Sequence, residues 1–207
     1  MKKLVIIDYG MGNLHSVIKA LQKMKIPAVL SDKAEVIKAA TGIILPGVGA
    51  FADAIKEIRK RGLYNIIRKE ALAGKPILGV CLGHQLLFSH SEEFGATKGL
   101  DLINGRVIKF KTDLKVPHMG WNNAKTVNQK STLLKGIKDN RFYYFVHSFY
   151  AVPVEKKVIL TETQYGDIRF VSAVEKENIF GVQFHHEKSG EPALKIYKNF
   201  WKVCSKK

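Results

Sequence analysis

The sequence predicts an α/β protein with a central, mostly parallel sheet, helices on both faces of that sheet and an antiparallel addition at one edge. In the first half of the 207-residue chain, short runs of Val, Ile and Leu alternate with stretches of helical period. After Gly99 the pattern changes to short strands with alternating and aromatic residues, which is typical of antiparallel pairing. No repeat or linker interrupts the chain, so one domain over residues 1–207 is expected.

The first half of the chain is predicted to supply the parallel strands. They are expected at residues 4–7, 28–30, 42–45 and 76–80. The run at 76–80 is wholly apolar, as in a strand buried on both faces of a parallel sheet. Helices are expected from Leu14 to a stop at Pro27, over 34–39, around 54–58 and over 64–73. A further short helix is expected over 85–89, after the strand that ends near Cys81.

The second half is predicted to add further short strands and a closing helix. The strands are expected at residues 106–110, 142–146, 158–161, 170–174 and 179–184. Apolar and aromatic side chains at 194, 196, 197, 200 and 201 recur at helical spacing. They predict a helix over 192–203 with one face available for packing.

The composition excludes several classes of protein. With 46% hydrophobic and 25% charged residues, the chain is neither disordered nor fibrous. No run approaches the roughly 18 apolar residues of a membrane helix, and the apolar run at 4–7 is too short for a signal peptide. Cys81 and Cys204 form no Cys-x-x-Cys pattern, so neither a disulfide framework nor a zinc site is indicated. We expect a soluble cytoplasmic protein without membrane association.

The formal net charge of +16 raises the question of an acidic partner. A nucleic-acid-binding protein is one alternative, and it predicts clustered basic residues interleaved with aromatic ones. The lysines are instead scattered along the chain. We therefore expect no nucleic-acid partner, while part of the charge could steer an acidic protein surface or a phosphorylated ligand.

Residues 79–83 have the form Gly-x-Cys-x-Gly, in which a nucleophile stands on a tight turn between a strand and a helix. The flanking glycines relieve backbone crowding, and a helix that begins beside the sulfur favours the thiolate of Cys81. A buried structural cysteine is the alternative, because cysteine is commonly buried and short glycine patterns arise by chance.

A cysteine nucleophile needs a proton acceptor, which in turn needs an orienting group. Of the seven histidines, only those within 184–187 follow a strand and precede a carboxylate. His185 and Glu187 would project to the same side of an extended segment. A metal site at His185, His186 and Glu187 is a weaker alternative because no other cluster has ligand spacing, and ordinary solvated histidines are another.

Residues 46–49 form a glycine-containing turn after a strand, and its backbone N–H groups can point at an anion or oxyanion. The same pattern fits a simple turn. It also fits a phosphate loop, although the Lys-Ser/Thr pair of a Walker motif is missing.

These motifs together resemble a known family. In chain order, residues 8–13, 46–51, 79–85, 117–122, 145–148 and 181–189 are similar to the class I glutamine amidotransferases, and most closely to the glutaminase subunits of imidazole glycerol phosphate synthase. The cysteine and histidine motifs resemble the whole class, whereas residues 8–13, 117–122 and 187–189 resemble this branch. The resemblance implies a single amidotransferase domain of flavodoxin-like fold over 1–207.

The resemblance also implies a role for each matched residue. Cys81 would attack the carboxamide of glutamine, His185 would carry the proton, and Glu187 would orient His185. The oxyanion hole is expected from Val48, Gly49 and Leu82. The residues expected to hold glutamine are Gly47, Gln85, Ser148 and Phe149. No cofactor and no metal are implied.

A partner subunit is implied as well. In this family, ammonia passes to a (βα)8 cyclase subunit, the other half of a heterodimer, which forms imidazole glycerol phosphate and an aminoimidazole carboxamide ribonucleotide in histidine biosynthesis. The residues expected at that interface are Asn13, Pro117, Met119, Trp121 and Lys188, with core packing as the alternative for Trp121. A second hypothesis keeps the glutaminase but lets a cyclase-like partner use the ammonia for amidino groups on surface-glycan sugars.

Two positions depart from the pattern of this branch. His84 stands where Met is common, although His is ordinary there in other class I amidotransferases. His186 stands where Pro is usual between the catalytic histidine and glutamate. Because proline restricts φ and lacks an N–H, its absence is expected to loosen His185 and Glu187 or to add a competing base, with activity retained but altered.

Overall fold

The computed structural model describes residues 2–205 and connects the thirteen strands of that part of the chain into one sheet. The strands are β1 Leu4–Ile7, β2 Ala28–Ser31, β3 Gly42–Gly47, β4 Ile77–Cys81, β5 Phe88–Ser91, β6 Thr97–Lys98, β7 Ile103–Lys109, β8 His118–Thr126, β9 Arg141–His147, β10 Phe149–Pro153, β11 Ile159–Tyr165, β12 Ile168–Lys176 and β13 Ile179–Val182. The helices are α1 Leu14–Lys23, α2 Ala34–Ala39, α3 Phe51–Lys60, α4 Leu63–Leu72, α5 Leu82–Leu86 and α6 Lys195–Ser205.

The parallel half of the sheet has the order β2-β1-β3-β4-β13. Strands β1, β3, β4 and β13 are buried along their whole length, because helices cover both faces. This agrees with the continuous apolar runs of the sequence. The carboxyl ends of β3, β4 and β13 lie side by side.

The other half of the sheet is mainly antiparallel. From β13 it continues through β12, β10, β7, β5 and β6, with β5 and β7 the one parallel pair on this path. Strands β11, β8 and β9 branch from β12 as an antiparallel extension. Through this extension, β9 reaches the edge of the sheet where the parallel strands end, and His185 forms a bridge with Tyr144 of β9 there.

Two hydrophobic clusters lie in the core. One includes the apolar faces of α2, α3 and α4, with buried residues such as Ile37, Ile55 and Ile67. The other includes α1 and α6, with residues such as Leu21 and Phe200. The predicted α/β architecture with helices on both faces and an antiparallel addition is confirmed.

The structure corrects several expected boundaries. The helix expected over 85–89 is wrong: α5 ends at Leu86, and Phe88 already belongs to β5, which pairs with β7. The strand expected over 179–184 ends at Val182, and that expected at 158–161 begins at Ile159 and runs to Tyr165. The closing helix starts with a 3-10 turn over Glu191–Leu194 before α6. Strands β5, β6, β8 and β10 were not expected.

No helix within residues 2–205 is long and apolar enough to cross a membrane.

Candidate active site

The site forms where β3, β4 and β13 end. Strand register pairs Gly47 with Cys81 across β3 and β4, and Val182 with Val80 across β13 and β4. His185 follows β13 by three residues, so it reaches the same edge as Cys81. Three separate segments of the chain therefore meet here because parallel neighbours end at the same side of a sheet.

Cys81 occupies a sharp turn between β4 and α5. Its φ of 56° and ψ of −113° are rare for a residue with a side chain, and such conformations are common at functional sites. A Cβ on Gly79 would lie 2.5 Å from the Gly83 carbonyl oxygen, and one on Gly83 would overlap the Leu45 carbonyl oxygen. Both glycines of the Gly-x-Cys-x-Gly pattern are thus required by close backbone approach.

His185 and Glu187 form a buried pair. The distance between His185 Nδ1 and Glu187 Oε1 is 2.7 Å, and their side chains are only 4% and 2% exposed. His185 Nε2 is buried and has no hydrogen-bond partner within residues 2–205, so it remains available to a reacting group. The expected pairing of base and orienting carboxylate is present.

The backbone around His185 is held from two sides. Its N–H donates to the Tyr144 carbonyl over 2.9 Å, and its carbonyl accepts from Ser189 Oγ over 2.6 Å. Ser189 Oγ also accepts from the Tyr144 N–H. These bonds tie the segment after β13 to β9 and fix the position of the imidazole.

The electrostatics of the pair favour a charged imidazole. Burial lowers the pKa of His185, but the nearby Cys81 and Glu187 outweigh this effect and raise that pKa to about 10. Burial raises the pKa of Glu187, while the hydrogen bond from His185 and the neighbouring histidines bring it below its usual value. The arrangement stabilises a proton on His185 and a negative charge on Glu187.

A cavity of about 270 Å³ opens over Cys81 and His185. It is lined by Val48, Gly49, Cys81, Leu82, Gln85, Glu93, Pro117, Val146, His147, Ser148, Phe149 and His185. The expected nucleophile, base, oxyanion-loop residues and three of the four expected glutamine-binding residues are therefore brought together. Glu187 stands behind His185.

Gln85 is oriented by two hydrogen bonds. Its Nε2 donates to the Phe149 carbonyl over 2.8 Å and to Gln183 Oε1 over 2.9 Å. Both amide hydrogens are thus used, which leaves Gln85 Oε1 for a ligand. Gln183 is fully buried, and its Nε2 lies 3.9 Å from Cys81 Sγ.

Some expected site residues lie away from the cavity wall. Gly47 stands behind it, in a space so tight that a Cβ would overlap the Tyr9 hydroxyl. Asn13 caps α1 through a hydrogen bond from the Ser16 N–H to its Oδ1. Pro117, expected at a partner interface, lies on the cavity wall itself.

The remaining residues expected at the interface are exposed. Met119 and Trp121 on β8 are 59% and 57% exposed, so Trp121 is not a core residue. Lys188 is exposed, and its Nζ lies 5.9 Å from the centre of the Tyr144 ring. Trp121 contacts the edge of the same ring.

Sequence reasoning missed two residues of the site. Glu93 lines the cavity and accepts a 2.7 Å hydrogen bond from the Phe51 N–H at the start of α3. Gln183 connects Gln85 with Cys81. A polar glutamine inside the apolar run at 179–184, two residues before His185, was a signal that could have been followed, whereas a glutamate in the turn after β5 gave none.

His84 and His186, the two departures, are both fully buried, and their ring nitrogens make no hydrogen bond within the described chain. Burial lowers the pKa of His84 to about 3 and that of His186 to about 4. His186 packs against the Tyr197 ring, 4.2 Å between centres. With its pKa at about 4, His186 is a weak base and competes poorly with His185 for the proton of Cys81.

No group of three or more His, Cys, Asp or Glu side chains with metal-binding geometry occurs within residues 2–205. The His185, His186 and Glu187 segment instead forms the base and carboxylate pair described above.

Comparison with known proteins identifies the family of this chain. Residues 5–203 match the family model of the class-I glutamine amidotransferases. The chain therefore belongs to this family of enzymes, and the resemblance drawn from its motifs is confirmed.

Within the family, the chain is similar to proteins named imidazole glycerol phosphate synthase subunit HisH. It is 51% identical over 207 residues to that of Methanosarcina acetivorans, covering 99% of this chain and 100% of that protein. It is 49% identical over 200 residues to that of Moorella thermoacetica, covering 97% and 94%. A crystal structure of a glutamine amidotransferase has the same fold, with a TM-score of 0.76 at 19% identity over 97% and 98% of the two chains.

Proposed function

We propose that this chain hydrolyses glutamine to glutamate and ammonia through a thioester on Cys81. The observation that carries the proposal is the convergence, in one cavity, of a strained cysteine with a histidine whose other nitrogen lies 2.7 Å from a buried carboxylate. Membership of the amidotransferase family supports the choice of an amide substrate.

In the first half of the reaction, Cys81 Sγ attacks the side-chain carbonyl carbon of glutamine. His185 holds the proton from the thiol and donates it to the departing nitrogen, which leaves as ammonia. Glu187 stabilises the imidazolium and keeps its Nε2 facing the sulfur. The C–N bond breaks as the C–S bond remains, so a glutamyl thioester results.

The carbonyl oxygen becomes negatively charged during the attack. Leu82 is the first residue of α5 and directly follows Cys81, so its backbone N–H lies at the start of the helix. The loop at Val48 and Gly49 borders the same cavity. We assign the oxyanion hole to these groups. One donor of this kind is worth about 2.7–4 kcal/mol of transition-state stabilisation.

In the second half, water attacks the thioester while His185 takes up its proton. The tetrahedral intermediate then releases the Cys81 thiolate and glutamate. The same imidazole therefore acts first as acid and then as base, which suits a group held between the sulfur and Glu187.

The rest of the cavity fits the amino-acid end of glutamine. Gln85 Oε1 and the second oxygen of Glu93 are acceptors for the α-ammonium group, and Glu93 supplies the opposite charge. The backbone near Ser148 and Phe149 completes the wall. Gly47 acts indirectly, by allowing the close packing of Tyr9 behind the loop.

The ammonia is passed to a partner. Relatives of this chain are named subunits of imidazole glycerol phosphate synthase, which supports a (βα)8 cyclase subunit as the other half of a heterodimer. There, ammonia would be used to form imidazole glycerol phosphate and an aminoimidazole carboxamide ribonucleotide in histidine biosynthesis. These relatives do not favour the surface-glycan or nucleic-acid alternatives.

The proposed interface meets the cavity at Pro117. Met119, Trp121 and Phe142 form an exposed apolar patch on β8 and β9, each more than half exposed. Lys188 lies beside this patch through Tyr144, and Pro117 joins it to the cavity wall. The relatives are named subunits of a biosynthetic enzyme, which supports a cytoplasmic setting for this chain.

The test is glutamate release from glutamine by the chain alone, and then with a candidate cyclase and its nucleotide ligand. We expect little release alone and strong stimulation in the complex. A Trp121→Ala variant should lose stimulation but keep its fold. A parent chain that releases no glutamate with any cyclase would overturn the proposal.

A further inference from the structure

A chain of hydrogen bonds runs through the interior between β8 and the glutamine pocket. Asn122 Nδ2 lies 3.3 Å from His118 Nε2, and His118 Nδ1 lies 3.1 Å from His147 Nε2. His147 Nδ1 lies 2.8 Å from the Phe149 carbonyl oxygen. The four residues come from β8, β9 and β10, so the chain crosses three strands.

The direction of every bond in this chain is determined. A carbonyl only accepts, so His147 Nδ1 carries the hydrogen, and the neutral ring then accepts at Nε2. His118 must therefore donate from Nδ1 and accept at Nε2 from Asn122, whose amide also donates to the Gln164 carbonyl over 2.8 Å. Both imidazoles are neutral Nδ1–H tautomers.

Burial agrees with this assignment. It lowers the pKa of His147 to about 3 and that of His118 to about 4. A proton added to His147 would place two N–H groups face to face between the rings. Phe110, Phe145 and Phe170 pack around both rings.

The chain continues to the nucleophile. The Phe149 carbonyl that accepts from His147 also accepts from Gln85 Nε2, whose other hydrogen goes to Gln183 Oε1. Gln183 Nε2 then faces Cys81 Sγ at 3.9 Å. An unbroken series of contacts thus connects Asn122, next to the exposed Trp121, with the reacting sulfur.

We propose that Asn122, His118 and His147 are positioning residues that hold the Phe149 carbonyl in place. Through this carbonyl they fix the positions of Gln85 and Gln183 relative to Cys81. This deepens the proposed function, because it makes the shape of the glutamine pocket depend on strand β8. His147 lines the cavity, yet both its ring nitrogens are bonded inward, so it acts on the substrate through Phe149.

Two substitutions of His147 test its two hydrogen bonds one at a time, because each keeps one bond and removes the other. In His147→Asn, the amide nitrogen replaces Nδ1 and keeps the bond to the Phe149 carbonyl. In His147→Gln, the amide group of the longer side chain takes the place of Nε2. It keeps the contact with His118 but loses the hydrogen bond to the Phe149 carbonyl. We expect a roughly 10-fold higher KM for glutamine in His147→Gln, a roughly 3-fold rise in His147→Asn and in Asn122→Ala, and small changes in kcat.

The steady-state kinetics are measured with the cyclase present. The matched control is His90→Gln on β5, outside the chain of hydrogen bonds, and it should keep the parental KM and kcat. Thermal unfolding of each variant shows that the fold is retained. Equal KM values in His147→Asn and His147→Gln would overturn the role of the Phe149 carbonyl. A parental KM in Asn122→Ala would overturn the dependence on β8.

The imidazole nitrogens give a readout that needs no turnover. In the ¹⁵N-labelled parent, NMR should show both His118 and His147 as neutral Nδ1–H tautomers from pH 7 to pH 5. An Nε2–H tautomer at either residue would refute the chain of bonds. If the tautomers are as expected but no glutamate is released, the proposed function fails while the hydrogen-bond chain itself stands.

Discussion

His186 provides a quantitative test of how the buried histidines affect stability. The ring is fully buried, packs against Tyr197 and has no hydrogen-bond partner within the described chain. Burial lowers the pKa of His186 from 6.5 to about 4. Below pH 6.5, His186 therefore binds a proton in the unfolded chain but stays neutral in the folded protein. The free energy of unfolding must fall as the pH falls through that value.

The size of the effect follows from the two pKa values. Between pH 7.5 and pH 5.5, the unfolded histidine becomes almost fully protonated while the folded one stays neutral. The difference in the free energy of unfolding is about 1.3 kcal/mol for this one group. Other titrating groups contribute as well, so the contribution of His186 is obtained by subtracting the same pH change in a variant that lacks the ring.

Two variants serve for the subtraction. His186→Pro introduces the residue usual in this branch, at the first position of a 3-10 turn where an N–H has no intrahelical partner. His186→Leu fills the same space without a titrating group. Urea unfolding at pH 7.5 and 5.5 gives the decrease in the free energy of unfolding between the two pH values. This decrease should be about 1.3 kcal/mol smaller in each variant than in the parent. Equal decreases in parent and variants would refute the reasoning.

Three further predictions concern the catalytic centre. Glu187→Gln should lower kcat by roughly 10²–10⁴-fold with little change in KM, because the imidazolium loses its stabilising charge; an unchanged kcat in steady-state assays would contradict this. Gly83→Ala should lower stability by about 3 kcal/mol in urea unfolding, since its methyl group overlaps the Leu45 carbonyl; parental stability would refute the packing argument. Glu93→Gln should raise the KM for glutamine roughly 10-fold, and a parental KM would remove Glu93 from the substrate site.

The parallel half of the fold and the sharp turn at Cys81 were predictable from the sequence because their signals are local. Continuous apolar runs mark β3 and β4, and the two glycines beside Cys81 mark the turn that displays it. The spacing of two residues between His185 and Glu187 likewise indicated the pair that the structure places 2.7 Å apart.

The parts that were missed depend on distant pairing. The segment after α5 turns into β5 because Phe88 finds a partner in Ile103 of β7, and a helical period alone does not reveal that partner. Glu93 meets Phe51 across 42 residues of sequence, and Gln183 meets Cys81 across 102. Contacts between residues so far apart in the chain can be identified only from the three-dimensional structure.

The central claim is that glutamine hydrolysis passes through a thioester on Cys81 formed with the help of His185. The most direct measurement is the intact mass of the chain after a rapid acid quench during turnover with glutamine and the cyclase, followed by peptide mapping. We expect a glutamyl adduct on the peptide that contains Cys81, and neither adduct nor glutamate release in Cys81→Ala. Glutamate release by Cys81→Ala at the parental rate, or an adduct on another residue, would contradict the account.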